Sequence, residues 1–215
     1  MRLRIRAIVS ALALTLVAPV AADAHPHVFI DAKVTFQFTD TELEGFWVEW
    51  AFDEMFTGML VLDFGIPRND ELTDSHVEEI RRGAFENLRH YDYFTYVVTN
   101  GERRPVDEVR EFDAFFRDHR IVYRFFVPFR KPLSNTATEL RVQMYDETFF
   151  TDIAFARDNP VKIESAVQLR SDHAIEHNED RDILYDPTNR SVEREDASYT
   201  GVAHPYEIEL RFQKR

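Results

Sequence analysis

The sequence contains no cysteine. That excludes a disulfide and any thiolate ligand to a metal ion. It has only six glycines. None sits in a phosphate-cradling loop or in the G-x-S-x-G turn of a serine nucleophile, so nucleotide chemistry and serine hydrolysis have no support. Positive charge is also short: 26 Lys and Arg stand against 39 Asp and Glu, a formal net charge of −13. No nucleic-acid partner is expected, because phosphate binding needs clustered positive charge. An acidic surface suits cations, or simply keeps the chain in solution. Beyond Val20 no apolar run approaches the roughly 20 residues that a membrane span needs.

What is present begins at the N-terminus. Arg2, Arg4 and Arg6 form a short basic region, and residues 7–20 are almost wholly apolar. Ala22 and Ala24 then supply the small residues of an A-x-A cleavage site. This order of parts predicts a signal peptide over residues 1–24, cleavage after Ala24 and export to a bacterial periplasm, with no membrane span afterwards. About 190 residues remain, enough for one domain with a real core. Nineteen Phe, eight Tyr and two Trp make that core aromatic.

Residues 28–38 alternate apolar and polar, as a half-buried strand does. The pattern resumes over 46–52, after a turn expected near Gly45. Residues 53–62 read as a short helix weakened by Gly58. Residues 73–91 read as one long helix, since Val77, Ile80, Ala84, Leu88 and Tyr91 recur every three or four positions. Ser75 and Glu78 fit a capping box at its start. Further strands are expected over 94–99, 109–117, 120–127, 138–146, 149–156, 161–169 and 206–212. Asn100-Gly101 and Asp118-His119 supply hairpin turns. Residues 170–200 are polar and acidic, and read as a long, partly disordered excursion. The expected fold class is α+β: an antiparallel β-sheet or two-sheet sandwich with one long covering helix. The family-like domain covers 25–169, the excursion 170–200 and a closing strand 201–215.

Cleavage after Ala24 would leave His25-Pro26-His27 at the new terminus. A free amine and two imidazoles then lie within three residues, and imidazole suits zinc, copper, nickel and cobalt. Pro26 has no backbone N–H, which impairs a site built on successive backbone amides. The remaining mode uses the amine and ring of His25, with His27 added. Asp31 faces the same way but lies roughly 13 Å along a regular strand from His27, so a further ligand must come from elsewhere. His173 and His177, four apart among acids, would chelate on a helix; in a loop they are solvated charge. Asp146 follows Leu140, Val142 and Met144 on an inward face, and reads as a turn cap, a buried acid or a ligand. Residues 63–76 match an EF-hand loop in position, but Gly65, Pro67 and His76 fall where calcium needs oxygen ligands. A copper oxidoreductase with an N-terminal histidine brace would require another histidine near His25, such as His90, His119 or His204.

Four motifs occur in order: His25-Pro26-His27-Val28-Phe29-Ile30-Asp31, Trp50-Ala51-Phe52-Asp53-Glu54, Tyr91-Asp92-Tyr93-Phe94-Thr95 and Tyr145-Asp146-Glu147-Thr148-Phe149-Phe150. Together they resemble bacterial exported proteins of the domain-of-unknown-function family numbered 1007. The resemblance implies a periplasmic component of an uncharacterised transport system, of a kind associated with nickel, cobalt or zinc permeases. Many members carry an acidic loop before the long helix. This chain departs from it at Gly65, Pro67 and Arg68, so no calcium role carries over. The reading is a non-enzymatic periplasmic accessory protein. It binds a divalent transition metal (zinc, nickel, cobalt or copper) and serves a metal-ion permease or other inner-membrane transport component. A cell-envelope interaction module without metal is the alternative.

Overall fold

The computed structural model describes residues 28–67, 71–147, 150–177, 183–184 and 202–215. Two antiparallel-rich sheets pack face to face. The first has the order β5-β6-β2-β1-β8. It is built from β1 (Val28–Phe38), β2 (Glu42–Phe52), β5 (Arg110–Arg117), β6 (Arg120–Pro132) and β8 (Thr151–Phe155). A further strand, β9 (Val161–Ser165), continues along β1 beyond β8. The second sheet has the order β10-β13-β7-β3-β4. Its strands are β3 (Thr95–Thr99), β4 (Glu102–Pro105), β7 (Thr138–Met144), β10 (Leu169–His177) and β13 (Tyr206–Lys214). A short pair joins β11 (Ile183–Leu184) to β12 (Val202–Ala203).

Alternation along the chain drives this arrangement. In β1 every even-numbered residue from Val28 to Phe38 is buried, while the odd-numbered ones are exposed or half-buried. β2 follows suit with Phe46, Val48, Trp50 and Phe52. The second sheet answers with Leu140, Val142 and Met144 of β7 and Ile208, Leu210 and Phe212 of β13. The two inner faces form one core, and Phe38 meets Phe212 edge-on with ring centroids 4.9 Å apart. That contact fixes relative direction: the far ends of β1 and β13 meet, so the strands run the same way through the sandwich. Asn100 and Gly101 both have positive φ, as do Asp118 and His119, which is what the expected two-residue hairpin turns require.

Several expectations are corrected. The long helix is broken into α2 (Asp74–Gly83) and a 3₁₀ segment (Phe85–Phe94) that is itself kinked at Tyr91, Asp92 and Tyr93. Ala84 at φ −125 breaks the helix after Gly83. The tighter winding that follows lays Phe85 on Phe112, rings stacked at 4.2 Å. The capping box belongs to Thr73 and His76, not to Ser75 and Glu78. Thr73 Oγ1 accepts the His76 amide at 3.3 Å, and His76 Nδ1 accepts the Thr73 amide at 3.2 Å. Glu78 instead pairs with Arg81. The first turn is at Thr39–Glu42, where the Thr39 amide donates to the Glu42 carbonyl at 2.9 Å. Gly45 lies inside β2 at a register shift. β8 and β9 run parallel to β1, reached by crossovers rather than hairpins.

The short helix is present as α1 (Glu54–Asp63). It packs against β6, and α2 packs against β5. The polar stretch does not open at 170: Leu169–His177 is the edge strand β10, paired along its length with β13. An edge strand exposed on both faces carries no apolar alternation, so its sequence reads as loop. Most of the rest of that stretch lies outside the described residues.

Candidate functional site

One end of the sandwich gathers the chemistry-bearing residues. β1 starts there at Val28, and β2 ends there at Phe52. Asp53 follows β2 and caps α1, its Oδ1 accepting the Phe56 amide at 2.8 Å. Its Oδ2 accepts the Phe29 amide at 2.8 Å, and its own amide donates to the Phe29 carbonyl at 2.9 Å. The first turn of β1 is thereby fastened to the first turn of α1.

On the other side of β1, the Val28 amide donates to the Phe150 carbonyl at 3.2 Å, and Thr151 lies opposite Val28 in parallel register. Asp146 is buried at 3 % exposure. Its Oδ2 accepts the Thr151 amide at 3.1 Å. A strand spacing plus a hydrogen bond therefore separate this carboxylate from the start of β1, on the order of 8 Å. The inward placement expected for Asp146 is correct, and it bonds backbone as a turn-capping acid does.

The backbone is strained at the same end. Asp92, Tyr93 and Phe94 have φ of 54, 46 and 47, a left-handed run that costs about 1–2 kcal/mol per residue for side chains bearing a Cβ. Burial of Tyr93 and Phe94 holds it, and the Phe94 carbonyl accepts the Tyr145 amide at 2.9 Å. Beside it Tyr96 and Tyr145 stack at 4.7 Å, with the Arg103 guanidinium 3.7 Å over the Tyr96 ring. Arg103 also donates to the Tyr145 hydroxyl and pairs with Glu147 at 3.4 Å. Burial, with Glu147 and Asp92 nearby, pushes the Tyr96 hydroxyl up to about 12.

The fold separates some candidates and joins others. His25 and His27 lie outside the described residues. Asp31 sits on the outer face of the first sheet, held by Arg120 at 2.6 Å. It lines an open groove of about 480 Å³ with Lys33, Glu49, Arg117 and Arg157. His173 and His177 share one face of a strand, not of a helix. Four residues along a strand span roughly 13 Å, so they do not chelate one ion together. His177 instead approaches His204, with ring centroids 6.1 Å apart. His119 lies in the β5–β6 turn, and His90 in the 3₁₀ segment. Among the described residues no three His, Asp or Glu side chains converge as a metal cage does. Sequence reasoning missed the double role of Asp53, the Arg103–Tyr96–Tyr145 stack and the His177–His204 pair. Only the first left a local signal, an acid directly before an apolar helix. The others depend on non-local strand pairing.

Among the described residues no helix is long and apolar enough to cross a membrane. The chain is similar to a Spirochaeta aurantia protein described as an uncharacterized 15.5 kDa protein in the trpE 3′ region. It is 36% identical to it over 104 residues, 48% of this chain and 74% of that protein. It is also similar to an uncharacterized protein of Haemophilus influenzae, 24% identical over 162 residues, 74% of this chain and 77% of that protein. The model of the family described as Protein of unknown function (DUF1007) matches residues 10–212. With nearly the whole chain matched, the protein belongs to that family.

Proposed function

We propose that this is an exported, periplasmic accessory protein that binds a divalent transition metal at its processed N-terminus and serves a metal-ion transport system. The observation that carries the reading is the anchoring of β1. His27 is bonded to Val28, about 3.8 Å away Cα to Cα. Val28 opens a strand paired with β2 on one side and β8 on the other. In the sequence the His-Pro-His segment directly precedes that paired strand. Asp146 is a buried carboxylate at that end, bonded to the amide of Thr151, which lies opposite Val28. Amine, two imidazoles and an oxygen suit zinc, nickel, cobalt or copper. A site with few fixed ligands exchanges quickly, which suits hand-over to a permease.

Calorimetric titration of protein processed after Ala24 tests this. Zinc, nickel and copper are each compared with the His25→Ala/His27→Ala form. At least a tenfold loss of affinity for one of them is expected. Equal affinities for all three overturn the reading. N-terminal mass analysis of the exported protein checks the cleavage itself.

The second reading, a cell-envelope interaction module, is favoured by α1. Met55, Met59 and Leu62 fall on one outward stripe and are 61%, 50% and 71% exposed. Large apolar side chains grouped on a surface mark contact sites more often than scattered ones do.

A further inference from the structure

We propose that His177 and His204 form a second transition-metal site, where β10 ends and β13 begins, independent of the N-terminal histidines. β10 ends at His177, and β13 begins at Tyr206 directly opposite it. His177 therefore closes β10, and His204 lies two residues before β13. The 26 residues between them, 178–203, carry seven Asp or Glu against three Arg.

The two imidazole rings stand 6.1 Å apart at an interplanar angle of 79°. Two imidazoles on one tetrahedral ion, with metal–nitrogen bonds near 2.0–2.1 Å, have ring centroids about 5 Å apart. The gap closes by about 1 Å of side-chain rotation. His177 is exposed on an edge strand. Its ring also rests 4.6 Å from Tyr206, which limits its orientations on that side. His204 is half-buried, the more enclosed of the two rings.

The donor set selects the metal class. Two imidazoles favour zinc, nickel or copper, and offer nothing to calcium or magnesium, which take oxygen ligands. The net negative charge of the adjoining residues 178–203 raises the local concentration of cations. Water completes the coordination. Because the rings stand at the end of β10 and just before β13, a bound ion links those two strands at one end of the sheet.

The test uses protein processed after Ala24 and carrying His25→Ala and His27→Ala, titrated with zinc chloride by calorimetry. A remaining micromolar binding event is expected. Adding His177→Ala or His204→Ala weakens it at least tenfold, and adding His173→Ala leaves it unchanged. All three positions are surface or half-buried, and matching thermal melts check that each variant folds. No zinc binding in the starting variant overturns the proposal. So does an affinity that survives loss of either ring, or one lost equally with His173. The comparison of wild type with the His25→Ala/His27→Ala form reads the N-terminal site separately, so either site can fail alone.

Discussion

Asp53 and Phe29 are bonded twice: carboxylate Oδ2 to the Phe29 amide at 2.8 Å, and the Asp53 amide to the Phe29 carbonyl at 2.9 Å. The same carboxylate caps α1 through Phe56. Loss of an N-cap costs about 1 kcal/mol, and loss of a hydrogen bond to a charged group about 1.5–3 kcal/mol. Asp53→Ala is therefore expected to destabilise the fold by about 2–3 kcal/mol. Asp53→Asn keeps an acceptor for only one of the two amides and should fall between. Urea denaturation at constant m-value measures both. An Asp53→Ala variant as stable as wild type would show that the carboxylate does not fasten β1 to α1.

Gly45 and Gly58 respond oppositely to a methyl group. A Cβ on Gly45 would lie 2.3 Å from the Val127 carbonyl oxygen and 2.6 Å from the Phe126 ring. The oxygen is backbone of the neighbouring strand β6 and cannot step aside. Gly45→Ala should cost at least about 2 kcal/mol, at the upper end of overpacking. A Cβ on Gly58 meets nothing within 4 Å, and glycine inside a helix costs roughly 0.5–1 kcal/mol relative to alanine. Gly58→Ala is thus expected to raise the melting temperature. The two melts, run side by side, check the contrast.

Alkali should unfold this protein through its buried tyrosines. Burial pushes Tyr96 up to about 12, against the opposing pull of Arg103, and burial also raises Tyr123. An unfolded tyrosine ionises near about 10. Above that pH the unfolded chain releases protons that the native state retains, so the unfolded state binds fewer protons and stability falls with rising pH. The tyrosine contribution is complete below about pH 10 and, for Tyr96, is lost by about pH 12. Melting temperatures from pH 8 to 12, followed with tyrosinate absorbance, should decline together over the upper half of that range. A flat profile to pH 12 contradicts the assignment. Arg103→Gln removes the opposing charge and should move the Tyr96 titration further up.

The stripe on α1 should be separable from stability. Met55, Met59 and Leu62 point outward, so replacing all three with Gln removes little buried area. The melting temperature is expected to hold within about 2 °C, the size of a surface change below 0.5 kcal/mol. Binding of a hydrophobic dye should drop. A large loss of stability would mean that these side chains are buried in the folded protein.

The strands that bury one face were legible in the chain. β1 was readable because Val28 to Phe38 alternates without a break, and the Asn100-Gly101 and Asp118-His119 turns were readable because those residues tolerate positive φ. The break after Gly83 was not. Val77, Ile80, Ala84 and Leu88 keep a helical period, and the break shows only in the folded backbone, at Ala84, where Phe85 docks on Phe112. β10 was not legible either, since its hydrogen bonds go to β13 while its side chains stay in water.

The sequence alone determined what depends on local chemistry: the family, the aromatic alternating core, the absence of thiolates and the His-Pro-His segment. Tertiary structure decided what depends on distant segments meeting. It set Asp146 beside the start of β1, gave Asp31 to Arg120, and parted His173 from His177 while bringing His177 to His204. Periodicity shows which face a residue occupies on its own element. The strand pairing that chooses its neighbours is a non-local balance of buried area and hydrogen bonds, and no short stretch of sequence records it.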